Sequence, residues 1–193
     1  MSAESGASDD AAFGGVRPPE LIDLGTVQLY RVRSQDGPAM ASATRANQAH
    51  IGRHIRWGTI EGTSLEHQQE RCDQAEQGWQ DGSLLAWAMR EQADGPIIGT
   101  FSLHARVGPG SLEIGYWLDA EHGGRGLATA GARALTEAAL ALPGIVRVEV
   151  HTDEANLASA AIPRRLGYRL AETRDAEPWG AEDSGRVQIW VTP

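Results

Sequence analysis

Three groups of residues have types and spacings that could do chemistry. Gly123, Gly124 and Gly126 lie in "EIGYWLDAEHGGRGLATAGARALTEAA", residues 113–139, between an alternating segment and a long alanine-rich one. The first turn of a helix carries unpaired N–H groups and the positive end of the dipole, so it attracts phosphate oxygens. Glycine lets a backbone approach such oxygens closely, and it equally serves a turn that needs positive φ. Upstream, strand alternation sets Glu113, Gly115 and Trp117 on one face and Leu112, Ile114, Tyr116 and Leu118 on the other. A carboxylate poorly solvated in such an apolar strand would have a raised pKa and act as a base, whereas one at a rim simply faces water. Downstream, Asn156 and Ser159 fall on adjacent faces of one helical turn. A serine there either gives up a proton or bonds its own helix backbone.

Other chemistries find less support. His50 and His54 are four residues apart, but no Glu completes H-E-x-x-H and no third ligand is evident, so no metal is expected. Cys72 is the single cysteine; it forms no internal disulfide, lacks a nucleophile signature, and suits a reducing cytoplasm. No G-x-S-x-G element supports a serine hydrolase. All 17 Lys-plus-Arg positions are arginine, which removes the P-loop reading because its lysine is missing. "GRGLAT" carries the first two glycines of a dinucleotide fingerprint, yet Thr129 fills the third small position and repeated βα units are absent. A net charge of −9 disfavours nucleic acid and is compatible with steering a cationic substrate, or simply with solubility. No apolar run is long enough to span a bilayer, so no membrane association is expected.

The elements that must position these residues follow from the pattern. Residues 1–20 read as a flexible N-terminal tail without a signal-peptide core, and 21–193 as one domain. Residues 27–33 alternate as a strand, and 37–56 and 63–79 are helical, the second beginning near a capping Ser64. Residues 83–91, 97–105 and 111–119 form successive antiparallel strands. A helix over 125–142 presents Leu127, Gly131, Leu135, Ala138 and Leu142 on one face. The strand 145–151 must then run parallel to its predecessor. A helix over 155–166 ends at Gly167, and strands at 168–173 and 186–192 close the chain. The fold class is α/β, a mixed, mostly antiparallel sheet with one parallel βαβ break. Trp57, Trp79 and Trp87 either line an acceptor pocket or pack in the core.

Two motifs in order carry a specific resemblance. "GGRGLA" resembles the acetyl-CoA pyrophosphate loop, Q/R-x-x-G-x-G/A, of the GNAT N-acetyltransferase superfamily. "NLASAAIPRRLGY", residues 156–168, is similar to the N-x-x-S…L-G-F/Y stretch of its RimJ/RimL-like branch, the ribosomal-protein N-terminal acetyltransferases. The resemblance covers about residues 27–175. It implies a GNAT-like fold, acetyl-CoA as cosubstrate, an amine acceptor and, as is common in the branch, a homodimer. It also implies roles: Glu113 as base, commonly through water, and backbone N–H groups near Trp117 and Leu118 on the pantetheine or thioester. Gly124, Arg125, Gly126, Ala128 and Thr129 would hold the pyrophosphate. Asn156 would contact the pantetheine and Ser159 would protonate the departing thiolate; Tyr168 is either a rival donor or a core residue after Gly167, and Arg164 and Arg165 either meet the 3′-phosphate or are solvated surface arginines. Apart from the resemblance, His151 at the end of the parallel strand could assist proton transfer or be a plain edge residue.

The sequence departs from the pattern twice. Gly123 stands where Gln or Arg is usual, leaving Arg125 and backbone N–H groups to hold the phosphates. Pro163 lies inside the second helix, where it cannot donate to the Ser159 carbonyl, at a cost of about 3 kcal/mol unless relieved. For the acceptor, an α-amine with pKa near 8 is roughly one-tenth neutral at pH 7, whereas a lysine amine near 10.4 is far more protonated. That favours a protein N-terminal α-amine over a lysine, with a small-molecule amine (antibiotic, polyamine or amino acid) as the alternative. A rival from another class is a non-catalytic acyl-CoA-binding module.

Overall fold

The computed structural model describes residues 12–193. Of the expected tail, residues 1–11 lie outside the described residues. From Ala12 onward the chain lies against the domain: Phe13 packs on the main core, and Arg17 donates to the carbonyls of Trp79 and Gln80 at 2.8 and 2.7 Å.

Among the described residues, eight strands form one sheet, flanked by five α-helices. In chain order the elements are β1 (Leu21–Asp23), β2 (Gln28–Arg31), α1 (Gly37–Ala46), α2 (Gln48–Ile51), α3 (Leu65–Asp81), β3 (Leu84–Arg90), β4 (Gly99–His104), β5 (Ser111–Leu118), α4 (Leu127–Leu140), β6 (Arg147–Asp153), α5 (Leu157–Arg165), β7 (Arg169–Asp175) and β8 (Arg186–Val191). The strand order is β1-β2-β3-β4-β5-β6-β8-β7, and every neighbouring pair is antiparallel except β5 and β6. The expected mixed sheet with a single parallel break is therefore the observed one.

Each face of the sheet has its own apolar cluster. Alternation in β4 sends Phe101 and Leu103 to the side that α4 covers, together with Leu112 and Ile114 of β5. Gly131 of α4 lies against the Phe101 ring so closely that a Cβ would fall 2.5 Å from it, which is why this helix can sit flat on the sheet. Along α4, Gly131, Leu135 and Ala139 are buried at four-residue spacing; Ala138, expected on this face, is only half-buried because the stripe drifts by one position. The opposite face, with Ala86, Ala88 and Trp117, is covered by α1 and α3 through Met40, Cys72 and Ala75. Trp79 and Trp87 are core residues, stacked edge to face with centroids 5.1 Å apart.

The long helix expected over 37–56 is broken at Asn47. Its carboxamide donates to the Ala43 carbonyl and to Asp119 Oδ2, at 3.1 and 2.9 Å, and accepts from the Ala120 N–H at 3.1 Å. Asn readily exchanges helix bonds for such side-chain bonds. The break ties α1 to the turn that leads out of β5.

Candidate active site

β5 and β6 pair from Ser111↔Arg147 only as far as Ile114↔Val150. Beyond that, β6 continues beside β8 from His151 to Asp153, while β5 continues beside β4 to Leu118. The two parallel strands therefore open a wedge. The Asp119 N–H donates to Ile98 O at 2.8 Å, on the β4 side. Strand alternation then turns the peptide groups of Trp117 toward β4 and those of Tyr116 and Leu118 into the wedge. The Trp117 side chain is buried under α3.

The wide end of the wedge meets the glycine loop. Gly124 and Gly126 adopt φ of +75° and +79°, the left-handed region glycine tolerates, and Gly126 caps α4. α4 thus begins two residues later than the alanine-rich pattern implies. Among the described residues, the N–H groups of Gly124 through Thr129 donate to no protein acceptor, and the loop from Gly123 to Gly126 is exposed. These amides, which include those of Ala128 and Thr129, form an anion cradle on a helix dipole. Arg125 is turned aside: its guanidinium meets Glu91 Oε1 at 3.1 and 3.2 Å. Both partners are about half exposed, so the contact is weak and the side chain is free to swing.

Glu113 is buried near the narrow end of the wedge, 6% exposed. Five residues separate it from Leu118, roughly 17 Å along a strand. Its setting is not the apolar one expected. Arg106 grips both oxygens as a fork, Nε to Oε2 at 2.8 Å and Nη2 to Oε1 at 2.7 Å, and His151 Nδ1 is 3.9 Å away. Burial pushes this carboxyl up, but the Arg106 bonds and the neighbouring His151, Arg106 and His104 charges together outweigh it. The carboxyl lies below its ordinary value, which corrects the expected raised pKa. His151 also bonds the buried Glu149, Nε2 to Oε2 at 2.6 Å, and Arg147 closes that side at 2.8 Å.

His104 is the cross-strand partner of Glu113, and Ser102 that of Gly115. Burial and the Arg106 charge push His104 down to about 4, so it is a neutral imidazole at pH 7. Its Nε2 lies 2.8 Å from Ser102 Oγ, which in turn reaches the Gly115 carbonyl at 3.3 Å. On the α1–α3 side of these residues is a cavity of about 60 Å³ lined in part by Trp57, Gln68, Arg71, Thr100, Ser102, His104 and Trp117. Of the three tryptophans weighed for an acceptor pocket, Trp57 alone lines it. Cys72 also borders it, with a thiol that burial pushes up to about 12, too high for a nucleophile.

Across the wedge stands α5. The Asn156 Oδ1 accepts from the Ser159 N–H at 3.0 Å, a helix cap. Pro163 removes the N–H that would serve the Ser159 carbonyl, and the Tyr116 hydroxyl is 3.2 Å from that carbonyl and 3.1 Å from Ser159 Oγ. Relief of the proline therefore comes from β5. Burial pushes the Tyr116 phenol well above its usual range, so it stays protonated. Tyr168 is packed beneath α4 with its hydroxyl 2.7 Å from Thr136 Oγ1, away from Ser159. The Arg164 guanidinium lies over the Trp190 ring at 4.9 Å, and Arg165 is exposed. His54 pairs with Asp183 at 2.7 Å, while His50 points to solvent. Among the described residues no group of three or more His, Cys, Asp and Glu is placed to hold a metal ion.

Three comparisons bear on this arrangement. A family model described as "Acetyltransferase (GNAT) domain" matches residues 26–169. No curated protein matches the sequence. Among solved structures, the ribosomal L7/L12 alpha-N-protein acetyltransferase RimL, in complex with coenzyme A, is similar with a TM-score of 0.80 at 22% identity, over 90% of this chain and 97% of that one. The ribosomal-protein-S5-alanine acetyltransferase of Vibrio fischeri gives 0.79 at 17% identity, over 89% and 95%. Mycobacterium smegmatis RimJ, in complex with CoA-disulfide, gives 0.75 at 19% identity, over 91% and 84%.

Proposed function

This chain belongs to the GNAT acetyltransferase family, and from that premise we propose that it moves an acetyl group from acetyl-CoA to a primary amine, a protein N-terminal α-amine being the acceptor class. The observation that carries the reading is the wedge beyond Ile114↔Val150 ending at a run of unengaged amides, Gly124 to Thr129. The loop amides would hold the pyrophosphate, with Arg125 leaving Glu91 to join them. The Leu118 and Tyr116 peptide groups would bond the pantetheine arm, with the Asn156 amide nitrogen opposite. Arg164 and Arg165, near the end of α5, would approach the 3′-phosphate. The fold neighbours named for ribosomal substrates support the choice of acceptor class.

In the reaction, the neutral amine attacks the thioester carbonyl, and the C–S bond breaks as the tetrahedral intermediate collapses. Once bonded to the carbonyl carbon, the attacking nitrogen is far more acidic than a free ammonium, so a weakly basic carboxylate suffices to take its proton. Glu113 is assigned that step, through water, with Arg106 keeping it ionised. The thiolate, whose pKa is near 8.5, leaves readily; Ser159 would donate a hydrogen bond to it, and its proton is finally supplied by solvent. The reduced Cys72 and the cosubstrate both suit the cytoplasm, and a homodimer remains the assembly that the RimJ/RimL resemblance implies.

The test is release of CoA thiol from acetyl-CoA against a panel pairing short peptides bearing free Ala, Ser or Met N-termini with polyamines and amino-sugar antibiotics. Turnover with peptides supports the reading. Turnover only with small amines moves the acceptor to metabolites or drugs.

A further inference from the structure

Arg71 is a guanidinium drawn into the fold without an acidic partner. Arg31 and Arg90, also drawn in, are each answered by a carboxylate, on Glu20 and Asp36. Among the described residues none lies within ion-pair distance of Arg71, and the residues lining its cavity include no Asp or Glu. Its guanidinium lies over the Trp57 ring, 4.3 Å from the centroid, which fixes the plane and leaves the N–H edge available. Its neighbours there are neutral: the Cys72 thiol, the His104 imidazole, Gln68 and Ser102. Burial lowers the Arg71 pKa, an unfavourable setting for the charge that an anion would relieve.

The cavity is also in the right place. Thr100, Ser102 and His104 form part of its lining, and their cross-strand partners are Trp117, Gly115 and Glu113. It therefore borders the point where β5 leaves β6, on the face opposite α4 and α5. Its volume, about 60 Å³, is well below the roughly 300 Å³ and more of pockets that enclose a drug-sized molecule. It suits the end of an acceptor rather than a whole nucleotide or sugar. A planar guanidinium held by stacking matches a planar carboxylate through two parallel N–H···O bonds.

We propose that Arg71, stacked on Trp57, is a specificity-determining residue that selects acceptors carrying a carboxylate a few bonds from the amine. The carboxylate is the side chain of an acidic residue at the first or second position of a peptide, or that of a small amino acid. The net charge of −9 does not oppose this, because the field of the outer surface is screened over about 8–10 Å while the cavity's own charge is Arg71. The inference rests on the acetyl-transfer reading for the fate of the amine, though not for the binding of the carboxylate.

The experiment compares isosteres. Peptides with Asp or Glu at position one or two are set against their Asn or Gln counterparts, and amino acids against their amides, as acetyl acceptors. The expected kcat/KM ratio is roughly 10- to 100-fold in favour of the acid, carried by KM. In Arg71→Gln the ratio collapses toward one, and Arg71→Lys restores part of it. Peptides alone showing the preference identify the protein source of the carboxylate, and amino acids alone the small-molecule source. Equal kcat/KM for acids and amides, or a preference that survives in Arg71→Gln, overturns the proposal. The same pairs, already N-acetylated, are titrated calorimetrically as unreactive ligands. If no acceptor turns over, the acetyl-transfer reading fails, and tighter binding of the acid that is lost in Arg71→Gln still sustains the Arg71 assignment. Equal binding there refutes it.

Discussion

Replacing Tyr116 with Phe should destabilise the protein because of a proline 47 positions away in the sequence. Pro163 has no N–H, so the Ser159 carbonyl lacks its helical donor one turn on, and the Tyr116 hydroxyl lies 3.2 Å from it. Phe leaves that half-buried carbonyl unanswered, at a cost of about 1–3 kcal/mol. In a chain of this size the loss lowers Tm by roughly 2–4 °C per kcal/mol. The decisive comparison is a double-mutant cycle. In a Pro163→Ala background the new Ala N–H takes the Ser159 carbonyl, and the Tyr116→Phe cost should fall by about 1 kcal/mol. Urea unfolding of the four proteins, with m held constant, measures this coupling. A Tyr116→Phe cost that is the same in both backgrounds refutes the argument that Tyr116 relieves the proline.

Two further outcomes follow from the site. His104 has a folded pKa lowered from 6.5 to about 4, so the unfolded chain binds the extra proton between those values. Stability should therefore be full above about pH 6.5 and fall by at most roughly 3 kcal/mol toward pH 4, and His104→Gln should flatten that part of the Tm–pH curve. A slope unchanged in the variant would show that other groups govern it. Gly126→Ala places a Cβ at φ +79° with nothing within 4 Å, so its cost is backbone strain alone, about 1–2 kcal/mol. Because relaxing that strain turns the cradle amides away, KM for acetyl-CoA should rise while KM for the amine stays constant; a KM for acetyl-CoA equal to the parent's would mean that these amides do not hold the cosubstrate.

Apart from β1, which was not foreseen, the order of strands and helices was legible from local signals: two-residue alternation in β4 and β5, the hairpin turn that joins β3 to β4, and the alanine-rich stripe of α4 that follows a glycine. The break at Asn47 was not, since its bonds go to Asp119 and Ala120, far along the chain. Glu113 was found by alternation, but its environment was misjudged, because a single strand does not reveal what its neighbour contributes. The stretch "HARVGPGSLE" contained the missing information: a hairpin register pairing His104 with Glu113 puts Arg106 on that same face. Arg71 and Trp57 are linked only through tertiary packing of α3 on the α2–α3 connection, so no spacing rule exposes them. Pro163 was read correctly as an unserved carbonyl, while its remedy lay on a different element.

The central claim is that the wedge and its carboxylate transfer acetyl groups rather than merely hold an acyl-CoA. Mass spectrometry of an α-amine peptide incubated with acetyl-CoA, paired with CoA titration of the parent and of Glu113→Gln, tests it most directly. The account predicts acetylated peptide with the parent, formation slowed on the order of 10²–10⁴-fold in Glu113→Gln, and CoA affinity retained in both. Bound acetyl-CoA with no acetylated amine from any acceptor class, or equal rates in the two proteins, would contradict it.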